Sequence, residues 1–352
     1  MRGLKIFSLA FFTYLLIALY SNYLDSRLKE LIYARGFSPS MVLLGLVYAL
    51  IFFLAFSSGY LVRLRSKGLR VNPWFYITGI FALSFVEFPL GPLLTVLLIG
   101  AYCFHPGMRD RLPFHAIGVA IVAPLVFYLT VGIPLFNNSL RYVLVGPLVF
   151  SALLGAFGIV YTDTSVRVKT LLFLVFMLLF FLGTFRSLIV LVYLAYTLDL
   201  YSRGVFRLDT RTIGISLLLG LIVVWLSGSV QAILVRVGFT FLVFHNLVRL
   251  SIPYGIFHGA LLFSDNPRHL VAGLFGATGV GNYTYFFFGQ AVADFGILGL
   301  MEAFLLGFLL GESERNPKSL AFVLSIMIYA LDPGIDAVLL ISILGALLCS
   351  GE

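Results

Sequence analysis

Thr170–Leu200 reads TLLFLVFMLLFFLGTFRSLIVLVYLAYTLDL. A membrane-crossing helix needs about 20 apolar residues, and this run is half as long again. At its centre Gly183-Thr-Phe-Arg186 sets a flexible residue and a permanent charge between two strongly apolar halves. The run is therefore either one long tilted helix or two short helices joined as a hairpin. Trp74–Phe104, interrupted at Glu87-Phe-Pro-Leu-Gly-Pro92, and Ser319–Cys349, interrupted at Asp332-Pro-Gly334, pose the same choice. Around them lie ordinary span candidates: Ile6–Leu24, Met41–Val62, Phe114–Val131, Val143–Tyr161, Thr212–Val230 and Phe286–Leu310. The first reads as a retained span rather than a cleaved signal peptide, because Tyr20, Asn22 and Tyr23 give it an interfacial ending and no small-residue cleavage pattern follows.

Composition sets the class. The chain has 352 residues, 61% hydrophobic and 11% charged, against about 45–50% and about 25% in soluble domains. That excludes a soluble enzyme, a nucleic-acid-binding domain and a disordered scaffold. Cys103 and Cys349 both lie in apolar runs and supply neither a disulfide framework nor a thiolate metal site. The expectation is an all-α polytopic membrane protein, a single transmembrane domain over residues 1–352.

Positive charge decides the topology, because Lys and Arg in short loops stay cytoplasmic. Arg63, Arg65, Lys67 and Arg70 form such a loop, with Arg2 and Lys5 on the same side. If the three long stretches are hairpins, Arg109/Arg111, Arg167/Lys169, Arg203/Arg207/Arg211 and Arg315/Lys318 all fall on that side too. A single helix in any of them would invert every later loop. The hairpin reading gives about twelve transmembrane helices, both termini cytoplasmic, and one long external segment, 231–285. Its aromatic and apolar content predicts an ordered element, with Gln231–Leu250 as a helix in or dipping into the interface.

Functional candidates come from the external basic residues. Arg27, Lys29 and Arg35 share their loop with Asp25 and Glu30 and read as a self-paired turn. Arg141, Arg186, Arg236, Arg249 and Arg268 are all arginine, and Asp265 is the only acid in the loops that hold them. Guanidinium grips phosphate or carboxylate with a two-pronged fork at any pH. The set therefore predicts that a ligand supplies the counter-ion; the bland alternative is snorkelling to lipid headgroups. His245, His258 and His269 accompany them without an acidic cluster, so no metal site is expected. His245 precedes Arg249 by one helical turn and reads as its orienting neighbour. Gly273, Gly276, Gly279 and Gly281 allow close backbone approach to a ligand. Asp294-Phe-Gly296 spells a kinase tripeptide, but no kinase context surrounds it.

Gly132-Ile-Pro-Leu135 followed by Arg141, the Gly-Thr-Phe-Arg186 break, the long external segment and Asp294-Phe-Gly-Ile-Leu-Gly299 together resemble the oligosaccharide repeat-unit polymerases, the Wzy-type enzymes related to O-antigen ligases. Arg268 and Gly279 fit the Arg-x10-Gly pattern of some members. The ligases' histidine motif is matched poorly, since His269 lacks the polar residue after it and the glycine falls one position off; this favours polymerase over ligase. The resemblance implies a GT-C-class glycosyltransferase needing no metal or other cofactor, acting outside the membrane on an undecaprenyl- or dolichyl-diphosphate-linked oligosaccharide. It leaves room for a chain-length regulator as a protein partner. On this reading Arg141, Arg186 and Arg268 clamp the diphosphate, Arg249 and Arg236 assist, and Gly279 lines the substrate. His269, with His258 next, takes the acceptor proton, since imidazole titrates near neutral pH. An O-antigen-ligase-like transferase and, from another class, a lipid-linked oligosaccharide transporter or flippase are the alternatives. A transporter would carry polar groups at the bilayer midplane along a path open to both sides.

Overall fold

The computed structural model describes residues 2–24, 42–66, 71–87, 89–104, 106–206, 210–276 and 282–350. Among them the regular elements are helices, with no strand. Hydrocarbon offers the backbone no hydrogen-bond partner, and an α-helix meets that condition within its own chain. The helices are α1 (Arg2–Leu24), α2 (Val42–Arg65), α3 (Pro73–Leu83), α4 (Leu90–Phe104), α5 (Pro106–Thr130), α6 (Arg141–Tyr161), α7 (Val166–Leu182), α8 (Arg186–Ser202), α9 (Thr210–Ser227), α10 (Val230–Ser251), α11 (Pro267–Leu274), α12 (Gly289–Phe295), α13 (Gly299–Ser313), α14 (Pro317–Tyr329) and α15 (Ala337–Ser350).

All three long apolar stretches are broken where the sequence places breaking residues. Between α3 and α4, a 3-10 turn over Ser84–Glu87 ends ahead of Pro89, as the restricted backbone before proline requires. A Cβ on Gly91 would lie 2.1 Å from the Ser84 carbonyl oxygen, so only glycine closes that turn. The second break separates α7 from α8 and the third α14 from α15. By length and composition, six helical stretches can cross a membrane: Arg2–Tyr23, Val42–Arg65, Arg111–Thr130, Asn138–Tyr161, Val230–Ser251 and Gly289–Ser313. Pro73–Glu87, Thr212–Ser227, Pro317–Tyr329 and Ala337–Ser350 are apolar but shorter.

The chain forms two compact units. The first comprises Met1–Val96, Gln231–Arg315 and Ala330–Gly351. In it α2 and α13 touch backbone to backbone: a Cβ on Gly59 would sit 1.9 Å from Phe304 O, and one on Gly307 1.8 Å from Phe56 O. At one end the Gly3 amide donates to Glu314 at 2.6 Å, Tyr60 donates to Glu314, and Arg63 pairs with Glu312. The amino end, the end of α2 and the end of α13 thus share one side, as the basic residues predict. At the opposite ends of α1 and α2, Asn22 donates to Gly238 O at 2.8 Å and the Gly45 amide donates to His245 Nδ1 at 3.1 Å. Gly238 and His245 both belong to α10, which therefore reaches across those far ends.

The span expected over Phe286–Leu310 is not one straight helix. Phe286, Phe287 and Phe288 are fully buried in non-helical chain, wedged among Phe7, Phe11, Phe52 and Phe56. Gly296 then turns with φ +59°, and a Cβ on Gly299 would come within 2.3 Å of Ala291 O. Residues eight apart in a straight helix are separated by about 12 Å, so the chain here doubles back. The long segment 231–285 is ordered where described, with Val243, Leu247, Leu261, Val271, Tyr283 and Tyr285 in one buried cluster.

The second unit comprises Leu97–Val230 and Asn316–Tyr329. Ser151 of α6 donates to Ala120 O of α5 at 2.6 Å, and α8 packs on α6 and α14. One end is held by charge: buried Lys169 pairs with buried Asp199 at 2.6 Å, Arg203 bridges Asp199 and Asp163, and Lys318 pairs with Asp163 at 2.7 Å. Basic residues from three of the clusters predicted to be cytoplasmic meet there. Arg186 begins α8, roughly 25 Å along the helix axis from Arg203.

Candidate functional site

In the second unit the break between α7 and α8 is a Schellman turn. Phe185 N–H bonds Phe180 O at 3.0 Å and Thr184 N–H bonds Phe181 O at 2.9 Å. Such turns put a left-handed residue just past the helix, ordinarily glycine. Here Thr184 takes it, at φ +61°. Gly183 stands one position earlier because packing needs it: its Cβ would meet Tyr128 Oη at 2.8 Å and Leu148 Cδ1 at 2.9 Å. A β-branched residue at positive φ costs about 1–3 kcal/mol, strain that tends to collect at functional sites.

Two predicted arginines meet at this turn. The Arg141 guanidinium lies 5.0 Å from the Phe185 ring centre, a cation–π contact. Arg186 Nη1 donates to Ser227 Oγ at 2.6 Å, at the end of α9. Gly132, at φ +114°, opens the segment whose Leu135 amide donates to Leu182 O at 3.0 Å. The Gly132–Leu135 and Leu182–Arg186 motifs, separate in sequence, are therefore one structure.

In the first unit the turn joining α14 to α15 holds two more arginines. Asp332 Oδ2 accepts from Arg236 at 2.9 Å, and its Oδ1 accepts from Thr240 at 3.2 Å and from Tyr14 at 3.3 Å. Thr240 and Thr284 share a hydrogen bond of 2.6 Å. Asp336 Oδ2 accepts from Arg268 Nη2 at 3.0 Å, while Oδ1 caps α15 by accepting from the Leu339 amide at 3.0 Å. Tyr285 braces the turn by donating to Ile335 O at 3.1 Å; burial pushes its phenol above the ordinary value, so it stays a neutral donor.

These pairs correct one expectation. Arg236 and Arg268 do not wait for a ligand as counter-ion, because Asp332 and Asp336 neutralise them from a turn outside the loops that carry the arginines. Asp332 reads in sequence only as a helix breaker. The available signal was two acids four residues apart in an otherwise apolar stretch.

The remaining predicted residues are dispersed. Arg249 is exposed on the last turn of α10. His258 is exposed at φ +50°, and His269 is exposed on α11, its amide capped by Asn266. His245 is buried and turns Nδ1 to the Gly45 amide. Gly279 lies outside the described residues. Asp294 has a structural role that sequence reasoning missed: fully buried, it accepts from the Leu261 and Leu262 amides at 3.0 and 2.9 Å and from Gln290 at 2.8 Å. With Gly255, whose Cβ would lie 2.2 Å from Asp294 O, it pins the loop after α10 to the fold-back at Gly296. Among the described residues no three His, Cys, Asp or Glu side chains group as metal ligands would.

A family model described as "Putative O-antigen polymerase" matches residues 5–343, nearly the whole chain. The chain belongs to that family. No curated protein and no solved structure matches it.

Proposed function

From membership of the O-antigen polymerase family, we propose that the protein is a membrane glycosyltransferase of polysaccharide biosynthesis. It extends a glycan from polyprenyl-diphosphate-linked repeat units at the outer face of the cell membrane, without a metal. The observation that carries this reading is the strained turn at 183–186, which gathers Arg141 and Arg186 at the end of α8 remote from the Lys169–Asp199 network. With about twelve spans and cytoplasmic termini, that network faces the cytoplasm and the turn faces out.

The chemistry asks for such an arrangement. In the transfer, an acceptor hydroxyl forms a bond to the anomeric carbon of the growing glycan while the bond from that carbon to the diphosphate oxygen breaks. The leaving diphosphate gathers negative charge, and guanidinium groups fixed beforehand stabilise it without reorganising. Arg141, held over Phe185, and Arg186, held by Ser227, serve this purpose in their unit. In the other unit, Arg268 set by Asp336 and Arg236 set by Asp332 are fixed cations, and Arg249 assists. His269, beside Arg268, takes the acceptor's proton, with His258 the next candidate base.

Purified protein in lipid, given a synthetic polyprenyl-diphosphate-linked repeat unit and EDTA, is expected to yield a ladder of products. R186A should abolish the ladder while cells carrying it still export single units, and R186K, which keeps the charge but not the fork, should restore little. Loss of export itself in R186A would overturn the enzyme reading in favour of a transporter.

A further inference from the structure

In the first unit, Gly289–Ser313 is long and apolar enough to cross a membrane, yet it carries two acids whose carboxyls are covered, Asp294 and Glu302. Ionisable side chains at membrane depth are rare and mark ion or proton sites. Asp294, fully buried, accepts from the Leu261 and Leu262 amides and from Gln290 Nε2. Glu302 is half-buried as a residue, but both its carboxyl oxygens are covered and neither accepts a hydrogen bond of regular geometry. Its polar neighbours are Asp294 and Gln290. Gln290 is itself fully buried; its Nε2 is engaged by Asp294, and its Oε1 accepts from no donor. Oε1 and Oε2 of Glu302 and Oε1 of Gln290 are thus covered acceptors beside a second carboxyl, with no donor among them.

Charge points the same way. Around Tyr285 lie three carboxyls, Asp294, Glu302 and Asp336, and one guanidinium, Arg268. One positive charge does not offset three negative ones where the dielectric is low. A proton on Glu302 would turn one of the orphan oxygens into a donor; that donor satisfies one acceptor, and the remaining oxygen stays unpaired. A small cation ligated by all of them serves every one at once. Carboxylate and amide oxygens are the ligands of hard cations. Two carboxylates suit a single positive charge, and among the described residues no third acid joins them as a ligand. We infer that Glu302, Gln290 and Asp294 form a sodium-binding site inside the first unit. The ion would tie the start of α13 to α12 across the Gly296 fold-back, next to the loop that Asp294 holds through Leu261 and Leu262. No step of the glycosyl transfer runs through it, and the inference stands apart from the polymerase reading.

The test is thermal unfolding of the purified full-length protein in micelles, followed by circular dichroism, with sodium chloride replacing choline chloride at constant ionic strength. An ion that binds only the folded state raises stability with its concentration. The parent's melting temperature is therefore expected to climb with the logarithm of sodium concentration once the site fills. E302Q, which keeps the shape and removes the charge, should melt at the same temperature in both salts. Q290L removes a ligand oxygen and leaves both acids, and should need about tenfold more sodium for the same rise. Equilibrium dialysis of the parent against radioactive sodium in excess choline needs no variant to fold; a single saturable ion per chain is expected. Equal melting of the parent in the two salts, no saturable sodium in dialysis, or an unaltered sodium response in E302Q would each overturn the proposal. So would a parent that answers to pH and not to sodium, because Glu302 would then carry a proton alone.

Discussion

Replacing Asp336 tests whether the turn before α15 sets Arg268. The pair is 3.0 Å long, with side chains 23% and 14% exposed. At an effective dielectric of about 20 the gross attraction is about 5 kcal/mol, and desolvating the two charges takes back several. A net coupling of about 1–2 kcal/mol follows, between the surface and fully buried limits. Asp336→Ala also removes the cap on Leu339, which adds about 1 kcal/mol. Asp336→Asn keeps an oxygen for that cap but turns the pairing neutral. D336A is therefore expected to be less stable than D336N by about 1 kcal/mol, and both less stable than the parent. The assay is unfolding in mixed micelles followed by circular dichroism, run as a double-mutant cycle with R268A. Product extension measured beside it should fall roughly tenfold in D336N, since 1.36 kcal/mol of lost transition-state stabilisation is a factor of ten. A coupling energy under about 0.5 kcal/mol would refute the reasoning, because the pair would then behave as an ordinary exposed contact.

Asp294→Ala strands the Leu261 and Leu262 amides, at about 1–3 kcal/mol for each buried donor; amide exchange across residues 255–263 should accelerate, and less so in D294N. Gly307→Ala puts a methyl 1.8 Å from Phe56 O, so α2 and α13 must part; a loss of about 3 kcal/mol should lower the detergent melting temperature. Asp163 is held below the ordinary carboxylate value, chiefly by its hydrogen bond from Lys318. Its contribution is therefore complete above the unfolded value of about 4 and lost as pH falls through the lowered folded one. Because Asp163 is exposed, that contribution is modest, about 0.2–1 kcal/mol per pair. D163N should therefore lower the melting temperature slightly near neutrality, where the contribution is present, and match the parent in acid, so that the acid limb of the profile flattens.

The sequence by itself determined the helical class, the three broken stretches and the grouping of basic residues at shared ends. Those features rest on local rules: hydrocarbon thickness sets helix length, proline and glycine interrupt helices, and cationic loops stay on one side. It also singled out Arg141 among the external arginines and Arg186 at a charged break between two apolar halves; that their motifs meet at one turn came from the Leu135–Leu182 hydrogen bond. Tertiary structure alone decided the rest. Arg236 finds its carboxylate 96 residues away and Arg268 finds its own 68 residues away, and no spacing rule links residues that far apart. The fold-back at Gly296 and the buried Phe286–Phe288 wedge look in sequence like part of one apolar span, since periodicity cannot separate non-helical chain buried by protein from helix buried by lipid. Which residue carries the strain at 183–184 was likewise settled by contact: Tyr128 and Leu148 crowd Gly183, and the left-handed position falls to Thr184.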